Sequence, residues 1–198
     1  MTVRRVVALL LLVALVGAAV AEAKTVRGNN RANELTGTSK NDRIDGRGGN
    51  DKLFGLRGND KLFGRAGRDR LSGQSGRDTL RGGTENDKLV GGVDADSLNG
   101  DAGNDSLNGG AGDDTLTDTI GNNSFAGGPG DDVVEGGAGN DKLDGGLGED
   151  ELSGGDGNDT IRARDREQDT INCGPGEDTV VVDDEEDGVV DCENVQMP

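Results

Sequence analysis

The sequence has no histidine, tryptophan or tyrosine, and only three phenylalanines in 198 residues. Imidazole-based catalysis is therefore excluded, and a conventional core packed around large aromatic side chains cannot be built. Cysteine is scarce too, with Cys173 and Cys192 the only two. Long apolar runs are missing: VVALLLLVALVGAAV at residues 6–20 has 15 residues, short of the roughly 20 that cross a bilayer. It follows Arg4 and Arg5 and precedes Ala21-Glu22-Ala23. That order of basic start, apolar stretch and small-x-small site is the layout of a secretory signal. Residues 1–23 are accordingly expected to be removed on export, with no membrane span left behind. Positive charge is also short, 21 Lys and Arg against 39 Asp and Glu for a net charge of −18. Nucleic acid is thereby excluded as a general partner.

What the sequence has in excess is glycine, 37 residues of it, the residue that costs most entropy to order. GGAGNDKLDGGLGEDELSGGDGNDTIR, residues 136–162, says nearly the same thing three times in nine-residue steps. From Gly28 the phase is unbroken through Arg162, giving 15 repeats, and after one extra residue, Ala163, two more begin at Arg164 and Cys173. Position six is aspartate in 15 of the 17 repeats and asparagine in two, Asn33 and Asn123. Position eight is aliphatic or Phe in all of them, from Leu35 and Ile44 to Ile171 and Val180. A disordered glycine-rich linker has no reason to hold that phase, whereas a solenoid needs one inward side chain per short strand. Positions seven to nine are predicted to be that strand, seven and nine outward and eight inward.

The unit is GGxGxDx(L/I/V)x, and the chain resembles the RTX, or haemolysin-type, calcium-binding repeat proteins over residues 28–181. Five repeats carry the whole pattern: GGAGDDTLT from Gly109, GGPGDDVVE from Gly127, GGAGNDKLD from Gly136, GGLGEDELS from Gly145 and GGDGNDTIR from Gly154. The resemblance implies an all-β parallel β-roll, a right-handed β-solenoid of 18 residues per turn, in which every second repeat stacks and calcium sits in the loops between turns. It also implies several Ca2+ ions as cofactors. Their expected carboxylate ligands are Asp105, Asp114, Asp132, Asp141, Asp150 and Asp159. The expected loop glycines are Gly109, Gly110 and Gly112; Gly127, Gly128 and Gly130; Gly136, Gly137 and Gly139; Gly145, Gly146 and Gly148; and Gly154, Gly155 and Gly157.

The chemistry of the residues agrees. Calcium is a hard ion taking six to eight oxygens, which backbone carbonyls and one carboxylate per loop can supply, and glycine lets the backbone turn at positive φ. Rows of unneutralised aspartates repel one another, so the chain is expected to be largely disordered without calcium and to fold on it. Two other readings of the glycine loops fail. A phosphate cradle wants a following helix and no acid at its mouth. The EF-hand-like run from Asp183 to Gly188 has Asn194 at the twelfth position, where that loop needs a bidentate glutamate.

The repeats are not equivalent. Residues 24–81 hold 14 basic and 7 acidic side chains, while the chain from Gly82 onward holds 5 basic and 31 acidic ones. In the basic half Arg47, Leu56, Arg65 and Gln74 replace the second glycine, and Arg68 and Arg77 stand beside Asp69 and Asp78. A guanidinium paired with the carboxylate would take over the ion's charge, so weak or absent metal sites are expected there. DTIGNNSFA from Asp118 has lost both leading glycines and its aspartate, which predicts a gap in the ion row. Glu85 and Asp94 replace the third glycine of their repeats. Beyond Val181, VVVDDEEDGVVDCENVQ predicts two short strands around an Asp187-Gly188 turn, a cap over residues 182–198 closing the solenoid end. An oxidising destination favours a Cys173–Cys192 disulfide over two free buried thiols.

The expected organisation is thus a signal at 1–23, a β-roll at 24–181 and a cap at 182–198. Repeats and cap leave no stretch for a catalytic domain, and the acids are accounted for as ligands, so no enzymatic activity is expected. The function expected is a secreted calcium-binding β-roll serving as a structural or interaction module outside the cell. An accessory or remnant of an RTX-type secreted enzyme and a surface or polysaccharide adhesin are the alternatives. For an adhesin, the outward row Arg43, Lys61, Thr79, Ser97, Thr115, Val133, Glu151, Thr170 is too mixed to form a regular ladder. The basic residues of 24–81 are the expected contact for an anionic cell-surface polymer.

Overall fold

One aliphatic side chain every nine residues sets the architecture. The computed structural model describes residues 22–183 and 188–197, so nearly all of the expected signal and the acidic run at 184–187 lie outside the described residues. Strands begin at position seven and stack in two parallel ten-stranded sheets that alternate along the chain. The register is 18 residues, as in Ile44↔Leu62 of one sheet and Leu53↔Leu71 of the other. Two repeats therefore make one turn, and the chain is an all-β parallel solenoid.

The core is two facing columns of position-eight side chains. Ile44, Leu62, Leu80, Leu98, Leu116, Val134, Leu152 and Ile171 fill one; Leu53, Leu71, Leu89, Leu107, Phe125, Leu143, Ile161 and Val180 fill the other, all buried. Stacking like on like satisfies the strand ladders and removes one aliphatic group per strand from water, worth about 1.5–3 kcal/mol each. No layer lies outside the coil, so nothing larger than leucine is needed except at Phe125.

The strands are longer than positions seven to nine. Ten of them run six residues, as Arg43–Gly48 and Lys142–Leu147 do, carrying the ladder through the glycines to position three. Only positions four to six are left to turn the corner. Ala163, the residue outside the nine-residue phase, is accommodated inside the core, and beyond it the register lengthens to 19 residues, with Leu152↔Ile171 and Ile161↔Val180. Three strands lie outside the 17 repeats: Thr25–Arg27 before them, and Gly188–Val190 and Asn194–Gln196 after them.

The C-terminal segment therefore differs from the expected hairpin. Thr179–Val182 and Gly188–Val190 are both strands, but they join opposite sheets and pair in parallel with earlier turns. The eighteen-residue coil simply continues, because a parallel edge is the only partner either segment meets. Cys173 and Cys192 form the expected disulfide, with Cα atoms 5.2 Å apart, tying the last repeat to this final coil.

Inward and outward leucines should differ sharply in cost. In excess calcium, Leu152→Ala is expected to destabilise by about 2–5 kcal/mol, because Leu152 is fully inside the stack. Leu147→Ala, at a position 59% exposed, should stay within about 0.5 kcal/mol of wild type. Chemical denaturation of the two variants checks this, and equal losses would contradict the two-column core.

Candidate metal centre

Strand alternation decides where the acid goes. With position eight inward and seven outward, position six turns inward as well, and every position-six aspartate from Asp42 to Asp178 is buried. They form two columns. One reads Asp51, Asp69, Asp87, Asp105, Asn123, Asp141, Asp159, Asp178; the other reads Asp42, Asp60, Asp78, Asp96, Asp114, Asp132, Asp150, Asp169. Within a column each side chain caps its neighbour: the backbone N–H of Asp60 donates to Asp78 Oδ1 at 2.7 Å, that of Asp96 to Asp114 Oδ1 at 2.7 Å and that of Asp141 to Asp159 Oδ1 at 2.8 Å. The short aspartate reaches one strand spacing and no further, which is why the longer glutamate is absent from the columns. At the C-terminal end Glu193 takes the role, its Oε2 accepting the Asp178 N–H at 2.9 Å.

One oxygen of each carboxylate is used this way, and the other is not. Oδ2 of Asp51, Asp60, Asp69, Asp78, Asp87, Asp96, Asp105, Asp114, Asp132, Asp141, Asp159 and Asp178 is buried with no hydrogen-bond partner. A buried acceptor without a donor costs about 1–3 kcal/mol, more when charged, and charges stacked at strand spacing repel by about 3–4 kcal/mol per pair at an effective dielectric of about 20. Burial first, and then the neighbouring acids, raise these carboxylates despite the opposing backbone hydrogen bonds: Asp78 and Asp114 to about 6, Asp132 and Asp150 to about 7, and Asp87 to about 8. The columns call for positive charge.

The position-one glycine shows where it fits. A Cβ on Gly37 would stand 2.6 Å from Asp42 Oδ2 and 2.6 Å from the carbonyl oxygen of Gly55 in the next turn. Two acceptor oxygens thus bound a space that only glycine leaves open, an arrangement suited to a hard cation with oxygen ligands. Among the described residues no three Asp, Glu or Cys side chains converge as a metal cluster, so further ligands would have to be backbone carbonyls. The other two glycines have a different reason. Gly110 and Gly112 sit at φ of 116° and 123°, in the left-handed region that side chains adopt only under strain.

The six aspartates singled out from the sequence all lie in these columns, and the fifteen singled-out glycines line their loops. The structure does not set them apart from Asp42, Asp51, Asp60, Asp69, Asp78, Asp87 or Asp96, whose burial and ladder are the same. Pairing by Arg68 and Arg77 does not occur, because position five points outward: both are exposed, while Oδ2 of Asp69 and Asp78 has no hydrogen-bond partner. Glu85 and Asp94 keep the loop shape at φ of 70° and 74°, and their carboxylates accept the N–H of Gly67 and Gly76. A second, outer ladder was missed. Position-five asparagines accept the N–H one turn later, as Asn104 does from Asn122 at 2.9 Å and Asn122 from Asn140 at 2.8 Å; the recurrence of Asn before the aspartate was its signal.

The raised carboxylates fix a pH dependence. Their folded values lie above the unfolded one near 3.8, so the folded state binds more protons, and its stability is fully present below about pH 4 and lost as pH rises through about 6–8. In chelator, circular dichroism should therefore show more β-structure at pH 5 than at pH 8, and excess calcium should flatten the difference. Greater β-structure at pH 8 than at pH 5 in chelator would contradict the buried columns.

The sequence was compared with known proteins. No curated protein matches. The family model of the RTX calcium-binding nonapeptide repeat (4 copies) matches residues 27–62, 48–80, 55–89, 81–116, 117–152 and 144–165. These matches run through most of the solenoid and most of both aspartate columns, and the chain belongs to the RTX calcium-binding nonapeptide repeat family.

Proposed function

We propose that this chain is a secreted, non-catalytic calcium-binding β-roll that folds on several Ca2+ ions and serves as a structural or interaction module outside the cell. The observation that carries the reading is the buried, partnerless Oδ2 repeated up both columns. Each position-six carboxylate and the position-one carbonyl of the next turn would hold an ion between stacked loops, with Oδ1 pinned by the backbone N–H below it. Bound calcium supplies the positive charge that offsets the column's repulsion and desolvation. The glycines keep the space open, and the aliphatic stack sets the spacing at which the oxygens meet. Export is supported by the signal-like residues 1–23 and agrees with the Cys173–Cys192 disulfide.

The outer surface of the first turns supports a contact with an anionic polymer. Arg43 stacks in register on Lys61, and Lys52 on Arg70 and Lys88, so like charges stand side by side on each sheet. Such rows repel one another and gain from a partner carrying negative charge. Arg43 is held over the Phe63 ring at 4.1 Å, which keeps that row ordered.

A calcium titration of residues 24–198 at pH 8, followed by circular dichroism with magnesium as control, tests the central reading. The chain should be mostly unstructured in chelator and gain β-structure cooperatively with calcium. Magnesium, which dehydrates reluctantly and demands near-octahedral geometry, should do so weakly if at all. Full β-structure in chelator, unchanged by calcium, would contradict it.

A further inference from the structure

The repeat DTIGNNSFA, residues 118–126, breaks the aspartate column at Asn123, whose Oδ1 still accepts the Asp105 N–H at 2.9 Å. The ladder continues, but one negative charge is lost. The same repeat carries an acid where all the other repeats from Gly28 to Gly154 begin with glycine: Asp118. Its side chain points into the coil and is 6% exposed. Oδ1 is fixed locally by the N–H of Thr119 at 2.6 Å and of Ile120 at 3.4 Å, and the Asp118 backbone N–H donates to the carbonyl of Glu135 at 3.0 Å. Oδ2 has no partner, and neither does Oδ2 of Asp105, itself 3% exposed.

Both of these Oδ2 atoms are aimed at one place. They are the two nearest atoms to the space that a side chain on Gly100 would fill. At Gly37 the corresponding space is bounded by one carboxylate oxygen and one backbone carbonyl oxygen, from Asp42 and Gly55. At Gly100 the carboxylate of Asp118 has come in beside that of Asp105. Two buried carboxylates facing one pocket with no donor between them require a cation or a shared proton.

Resting on the calcium reading above, we propose that Asp118 is a calcium ligand at a position the nonapeptide pattern does not provide, forming with Asp105 a two-carboxylate site. The gap expected from Asn123 is thereby closed one turn earlier in the chain, and the column keeps its total charge. Asp118 lies outside the GGxGxD consensus, so the repeat reads as degenerate in sequence while its site is intact in space.

Equilibrium dialysis against 45Ca at pH 8 tests this, at a free calcium that just saturates wild type. Asp118→Asn keeps the shape and removes the charge; Asp118→Gly restores the glycine of the neighbouring repeats and guards against a folding defect, with circular dichroism as the check on both. Each is expected to bind one ion fewer per chain than wild type, as is Asp105→Asn, and the double variant Asp105→Asn/Asp118→Asn is also expected to lose one ion. Unchanged stoichiometry in both Asp118 variants leaves only a shared proton between the carboxyls and overturns the proposal. A double variant that loses two ions also overturns it, by placing the residues in separate sites. A wild-type chain that binds no calcium overturns the proposed function and this inference together, whereas wild-type binding matched by the Asp118 variants overturns this inference alone.

Discussion

Every turn of this coil buries a carboxylate directly above its own copy. The rest of the structure follows from that constraint. Strand alternation forces position six inward once position eight is inward, and the parallel register repeats the choice every 18 residues. A water-filled loop would screen such charges; a solenoid corner with glycine at its base does not. One oxygen of each aspartate is absorbed by the backbone ladder, and the other has nothing in the protein to bond. The same column that organises the loops therefore opposes folding until positive charge enters.

The hydrophobic side of the balance is thin. Two columns of single aliphatic side chains, with one phenylalanine among them, resemble the core of a much smaller domain stretched along an axis. Each turn contacts only its neighbours, so stability accumulates turn by turn. Glycine contributes in two ways that are easily confused. At position one it leaves open the space in which oxygens from two turns meet, and at positions two and four it takes the positive φ that carries the ladder round the corner. The basic half shows that the second role can be filled otherwise: Arg47, Leu56, Arg65 and Gln74 hold φ between 78° and 88° without breaking register. Position one is the stricter requirement. Every repeat from Gly28 to Gly154 has glycine there except at Asp118, where an acid has entered the space instead.

Periodicity made the solenoid, the two-sheet alternation and the inward aliphatic column legible in advance, because these depend only on the phase of one residue type. The position-six aspartates were legible for the same reason. The limits of reading lay where side-chain direction, rather than composition, decides. Arg68 and Arg77 are adjacent in sequence to Asp69 and Asp78, yet successive residues face opposite sides, so they leave the columns intact. Asp118 read as a missing glycine; only stacking places its carboxylate beside Asp105. The strands Gly188–Val190 and Asn194–Gln196 lie outside the nine-residue phase, and their place in the sheets comes from the exposed parallel edge they complete. Glu193 at the end of the aspartate ladder has no local sequence signature at all.

The central claim is that buried carboxylate charge makes the fold depend on an ion. Asn123 shows that an asparagine keeps the inner ladder, accepting one N–H and donating its own to Asp141 Oδ1 at 2.6 Å. Replacing Asp78, Asp96, Asp114, Asp132 and Asp150 together by asparagine would therefore keep the hydrogen bonds of one column and remove its charge. The decisive measurement is the circular dichroism of residues 24–198 carrying these changes, in chelator at pH 8, beside the unaltered chain. The account predicts substantially more β-structure in the asparagine variant than in the parent without calcium, and a smaller response to calcium when it is added. A variant as unstructured as the parent in chelator would contradict it.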